Sequence, residues 1–121
     1  MSFSGHKNYF GKRGLTGFPM EVPPKFSKYN CIEYYKSPIS EQGYWDESSQ
    51  YLYFWPAAQV FEDVEKQFLV IGSAGVDGID WGYRKGIDGL WAYYPIEQKF
   101  FLIATSFQEL VEGWLSGKIT V

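Results

Sequence analysis

Three aspartates, Asp77, Asp80 and Asp88, fall close together in a Gly-rich stretch. Carboxylates at such spacing can ligate a hard cation or share a proton. A calcium loop needs five or six oxygen ligands, with a Glu at its twelfth position. The twelfth residue counted from Asp77 is Asp88, but Trp81, Tyr83 and Lys85 occupy the interior ligand positions, so the stretch reads as turns. A pair such as Asp77 and Asp80 does acid–base work only in a cleft that shifts one pKa. There is one Cys, Cys31, and one His, His6. They are too few for a zinc site, and they make no disulfide. No P-loop or nucleophile-elbow motif is present, which removes two common enzyme classes. Gly72-Ser73-Ala74-Gly75 resembles a phosphate loop, but no helix is expected to follow it and offer its N-terminal dipole. The expectation is a chain without catalytic residues, metal or cofactor.

Aromatic side chains remain: 5 Trp, 10 Tyr and 10 Phe, 21% of the chain. Trp, Tyr and Arg dominate the energetics of protein interfaces. Trp81, Tyr83, Trp91 and Tyr93 are spaced so that each pair shares one face of a strand. Covered by a helix, they are core. Open to solvent, they form a binding face with Asp80, Arg84 and Asp88 at its rim. The segment from Glu41 to Gln50, carrying Trp45, Asp46 and Glu47, is a second candidate, because loops often carry binding groups.

The elements that must position these residues follow from pattern. Residues 1–24 hold four Gly and three Pro and read as an irregular flank. Residues 25–36 suit a helix with Pro24 at its first position, though Ile32–Tyr35 suits a strand as well. Residues 37–50 read as a loop, and Tyr51–Trp55 as a strand. Pro56 then predicts a helix to Lys66, with Val60, Phe61 and Val64 inward. Phe68–Gly72 is apolar at alternate and intervening positions alike, the mark of a strand covered on both faces. Turns at Asp77-Gly78 and around Lys85–Gly89 separate antiparallel strands 79–84 and 90–96, and 100–105 is the next strand. Ser106-Phe107-Gln108-Glu109 has capping-box spacing. Phe107, Leu110, Val111, Trp114 and Leu115 then form one helical stripe, and Gly117 stops the helix. Trp55 and Trp114 are assigned to the core. The sum is a single α+β domain over residues 25–121, with a mainly antiparallel sheet, flanking helices and a capped C-terminal helix.

The chain is 121 residues with a net charge of −3, suited to one domain. Six of its basic side chains and two of its acids lie in residues 1–40, and twelve of its fourteen acids lie after residue 40. The acidic part repels phosphates and attracts a basic protein, so a nucleic-acid partner is not expected. No apolar run approaches the ~20 residues of a membrane span, and the first residues have no signal-peptide core. A cytoplasmic location is expected.

The order of these motifs is similar to the SUKH superfamily. The similarity runs through the aromatic strand ending in Trp55-Pro56, then Phe68-Leu69-Val70-Ile71-Gly72-Ser73-Ala74-Gly75, and last Ile103-Ala104-Thr105-Ser106-Phe107-Gln108-Glu109-Leu110-Val111. It covers residues 51–116, with a looser match at Val22-Pro23-Pro24. The basic, Gly-rich start departs from that family, whose members begin with an acidic helix. The resemblance implies a non-catalytic binding module, in particular an immunity protein that neutralises a cognate bacterial nuclease or deaminase toxin by direct binding. Glu41, Trp45, Asp46, Glu47, Asp77, Asp80, Tyr83, Arg84 and Asp88 are then the expected partner-binding residues. A regulatory or scaffold module of the same fold is the alternative. A small enzyme using Asp77 and Asp80 is a third reading.

Overall fold

The strand Phe68–Ser73, buried along its whole length, organises the protein. A strand with no exposed side chain needs cover on both faces and a partner on each edge. The computed structural model describes residues 20–121, and in it this strand is β4 of a seven-stranded sheet. The other strands are β1 (Tyr44–Asp46), β2 (Tyr51–Phe54), β3 (Phe61–Asp63), β5 (Asp80–Arg84), β6 (Ile87–Tyr94) and β7 (Lys99–Ala104). Their order is β1-β2-β4-β5-β6-β7, every pairing is antiparallel, and β3 lies along β4 beside the end of β2. Three helices, α1 (Ile32–Lys36), α2 (Ile39–Gln42) and α3 (Phe107–Ser116), complete the α+β domain.

The expected helix over 56–66 is absent. Pro56 starts only a single 3-10 turn at Ala57–Gln59, and Phe61–Asp63 becomes β3. The reason lies in β4: β2 pairs it only at Phe54–Gly72, which leaves the backbone of Phe68–Val70 in need of a partner. β3 supplies it through Phe61–Val70, Glu62–Leu69 and Asp63–Phe68. Tertiary pairing overrides the helical spacing. Residues 25–36 are likewise divided, into a 3-10 turn at Pro24–Phe26 and the short α1. α1 stops because Ser37 precedes Pro38 and is held in the extended region, at φ −82° and ψ 154°. The expected loop 37–50 contains α2 and β1. Residues 20–23 are irregular as expected, whereas the remainder of the flank, 1–19, lies outside the described residues.

The helices pack on one face of the sheet. Tyr34 and Tyr35 of α1, Ile39 of α2, and Phe107, Leu110 and Val111 of α3 join Leu69, Ile71, Trp81, Tyr83, Leu90 and Ala92 in one buried cluster. Trp81 is its centre, with ring centroids 5.3 Å from Phe54 and 4.9 Å from Trp114, and its indole N–H donates to the Tyr53 carbonyl at 3.1 Å. Trp114 and Trp55 are partly buried rather than enclosed.

α3 is capped, though not by the expected box. Ser106 Oγ accepts from the Glu109 amide at 3.1 Å, but the Glu109 carboxylate turns back to Thr105, accepting from its N–H at 2.6 Å and its hydroxyl at 2.8 Å. The amides of Phe107 and Gln108 donate to the Glu33 carboxylate of α1 at 2.7 and 3.0 Å. A carboxylate at this end also suits the helix dipole. Gly117, at φ +82°, ends the helix in the left-handed conformation.

Candidate functional site

The other face of the sheet is the candidate site. Register decides which side chains reach it. Trp81 stands opposite Ala92 and Gly82 opposite Trp91, and residues directly opposite share a face. Trp81 and Tyr83 therefore point to the helices, whereas Trp91 and Tyr93 point away from them. Phe68 and Val70 of β4 belong to this second side and fall outside the helix-packed cluster.

Phe68 and Phe100 meet there with ring centroids 4.9 Å apart, although β5 and β6 lie between their strands. A flat sheet would separate β4 and β7 by about 14 Å. The sheet therefore coils toward this face and brings the two rings together across it. A Cβ on Gly82 would run into the Leu69 carbonyl oxygen, beside the register shift between Val70 and Gly72. The strands approach closely there only because residue 82 is glycine.

Arg84 is the polar centre of the concave face. Its guanidinium lies 4.7 Å from the Trp91 ring centroid and 4.3 Å from that of Phe100, a double cation–π contact. Tyr93 packs on Phe100 at 4.9 Å. Lys66 Nζ lies 4.9 Å from the Tyr93 centroid and forms an ion pair with Asp63 at 3.0 Å. Asp80, half-buried opposite Tyr93, has its pKa raised by burial, with Lys66 working the other way. The arrangement presents flat aromatic surface, two cations and a carboxylate. Such a surface can make stacking, cation–π and ion-pair contacts. A separate groove of about 390 Å³ runs along α3, lined by Glu109, Glu112, Gly113, Ser116, Lys118 and Ile119.

The expected partner-binding residues are partly gathered. Antiparallel order puts the turns 47–50, 74–79 and 95–98 at one end of the sheet. Asp46, Glu47, Asp77 and Asp80 collect at that end, joined by Glu97. Asp46 is committed to its turn, accepting from the Ser49 amide at 2.9 Å and hydroxyl at 2.7 Å, which lowers its pKa. Trp45 is 48% exposed on the edge strand β1, two strands from β4. Asp88 lies toward the opposite end, where it accepts from Asn30 at 2.6 Å. Glu41 lies on α2, apart from both groups.

Tyr83 is a correction. Expected as a surface anchor, it is 3% exposed and belongs to the core. Its hydroxyl has no hydrogen-bond partner among the described residues, and burial, with Glu33 nearby, pushes its pKa well up. Residue spacing missed Phe68, Phe100 and Lys66. In Phe68–Ile71 both alternating sets are apolar and both are buried, so period alone could not say which set faces the helices. A cationic Arg84 within a strand was the available signal.

Among the described residues no group of three or more His, Cys, Asp or Glu is placed to hold a metal ion, and no helix is long and apolar enough to cross a membrane. Compared with protein-family models, curated proteins and solved structures, the chain matches none.

Proposed function

We propose that this chain is a non-catalytic protein-binding module of the immunity type, which holds a nuclease or deaminase toxin domain in an inactive complex. The observation that carries this reading is the concave aromatic face, where Arg84 sits between Trp91 and Phe100 beside an acidic end of the sheet. Rigid aromatic groups and Arg contribute dissociation-limiting contacts, whereas the acids accelerate encounter with a basic toxin surface. Inhibition is by steric blocking, without turnover, and the chain acts in the cytoplasm where the toxin would act. The SUKH-like order of motifs supports the same reading.

The test is titration of the chain against a toxin domain encoded beside it, reading both heat of binding and residual toxin activity. The wild type should bind stoichiometrically and abolish activity. Trp91→Ala should speed dissociation by roughly tenfold to a hundredfold. A wild-type chain that neither binds nor protects would remove the immunity reading. Binding unaffected by Trp91→Ala would move the site to another surface.

A further inference from the structure

We propose that Arg84 is a carboxylate-recognition point, at which the partner of the concave face seats one Asp or Glu side chain; this rests on the reading of that face as a protein-docking surface. Arg84 is half-buried, and its guanidinium lies 4.7 and 4.3 Å from the Trp91 and Phe100 ring centroids. Aromatic faces favour its charge but offer no lone pair to its N–H donors. Among the described residues, none of those donors makes a hydrogen bond or an ion pair. The acids of neighbouring strands are engaged elsewhere, Asp63 by Lys66 and Asp88 by Asn30. Lys66 thus has its counter-ion, whereas Arg84 is a cation without one.

A guanidinium fork matches a carboxylate through two parallel N–H···O bonds. Arg84 is prepared for one, because its two ring contacts hold the side chain and little rotamer freedom is lost on binding. The surrounding charge favours a single carboxylate over a phosphate chain. Asp80 starts the strand that Arg84 ends, about 13 Å away, and belongs to the acidic end of the sheet. That end repels a polyanion and accepts a partner whose basic groups lie to one side of its carboxylate. Apolar surface flanks the point. Phe61, Val70, Gly82, Trp91 and Leu102 pair in one row across the sheet. The ends of that row, Phe61 and Leu102, are 47% and 52% exposed. The occupant is therefore a protein segment with an acid between apolar side chains, and with basic groups about 13 Å from that acid on the Asp80 side.

The chain has two arginines, Arg13 and Arg84, so the test reads the arginine Nε–Hε signals of the full chain by NMR, assigned through Arg13→Lys. The probe is the peptide acetyl-Leu-Ser-Asp-Ser-Leu-amide, whose alternate side chains share a face when extended. The same peptide with Asn for Asp is the control. The Asp peptide should shift the Arg84 signal saturably, with a midpoint in the millimolar range, and the Asn peptide should not. Arg84→Lys keeps the charge but loses the fork. It should weaken Asp-peptide binding by roughly tenfold, read at the Trp91 indole N–H, with thermal melts confirming that the variant folds. No shift with the Asp peptide, an equal shift with the Asn peptide, or undiminished binding by Arg84→Lys overturns the proposal. An oligothymidylate that shifts Arg84 at lower concentration than the peptide also overturns it, in favour of a phosphate ligand. Adding the toxin domain last separates the two readings. Toxin binding with Arg84 unmoved by toxin and peptide alike overturns this proposal alone. An Arg84 shift with the peptide and no toxin binding keeps the carboxylate site and removes the immunity reading.

Discussion

Asp80 and Tyr83, three positions apart on one strand, show what a single residue can and cannot announce. Asp80 was legible as a rim acid of a binding face, and the structure adds its half-buried setting. Below its ordinary pKa of 3.8 both folded and unfolded forms hold the proton. As pH rises from there, the unfolded chain releases its proton first, so stability falls until the folded carboxyl also ionises, and the deficit persists above. Asp80→Asn should therefore be more stable than wild type at pH 7, and the difference should vanish near pH 3, as thermal melts at the two values would show. Equal gains at both would mean the carboxylate's charge is not what is costly. Tyr83 was misread because a Trp-x-Tyr strand carries the same alternation whichever face is covered. Its buried hydroxyl lacks a partner among the described residues. Tyr83→Phe should leave stability unchanged or raise it by about 1 kcal/mol in urea melts; a loss of similar size would reveal a bond to the hydroxyl.

At the scale of elements, legibility followed how local each element's causes are. α3 was read closely because its stripe, its Ser106 cap and its Gly117 stop all lie within its own sequence. β4 to β7 were read because apolar runs and the Asp77-Gly78 turn are also local signals, although β6 starts at Ile87 and takes in Asp88-Gly89, which the spacing predicts for the turn before it. The segment 56–66 was misread because its conformation is decided by β4, a partner that begins only at Phe68. The same dependence on neighbours makes Gly82 sensitive. Its Cα hydrogen faces the Leu69 carbonyl, so Gly82→Ala must push β4 and β5 apart at the bulge. The expected cost is about 1–3 kcal/mol in equilibrium unfolding, and a neutral substitution would mean that the bulge relaxes freely.

For the whole molecule, the charge division visible in the sequence acquires a direction. The acids after residue 40 are not spread evenly: Asp46, Glu47, Asp77, Asp80 and Glu97 share one end of the sheet, whereas Glu62 and Glu109 are engaged in internal hydrogen bonds. Only the first group is expected to steer a basic partner. Replacing Glu47, Asp77 and Glu97 by their amides should slow association with a toxin domain and flatten its salt dependence while leaving dissociation nearly unchanged. Stopped-flow rates at two salt concentrations would check this, and an unchanged association rate would assign steering to another surface.

The Glu33 clasp on α3 has a temporal consequence. Its two hydrogen bonds join positions 74 and 75 residues apart, so forming them must await closure of most of the chain. Such a contact belongs to the late side of the folding barrier. Glu33→Ala should therefore leave the refolding limb of a chevron plot in place and raise the unfolding limb roughly five- to thirtyfold, the kinetic equivalent of about 1–2 kcal/mol. A slowed refolding limb would instead place the docking of α1 on α3 in the nucleus. On the first outcome, Glu33 acts as a latch: it governs how long the native state lasts once made, and has little part in how quickly it is reached.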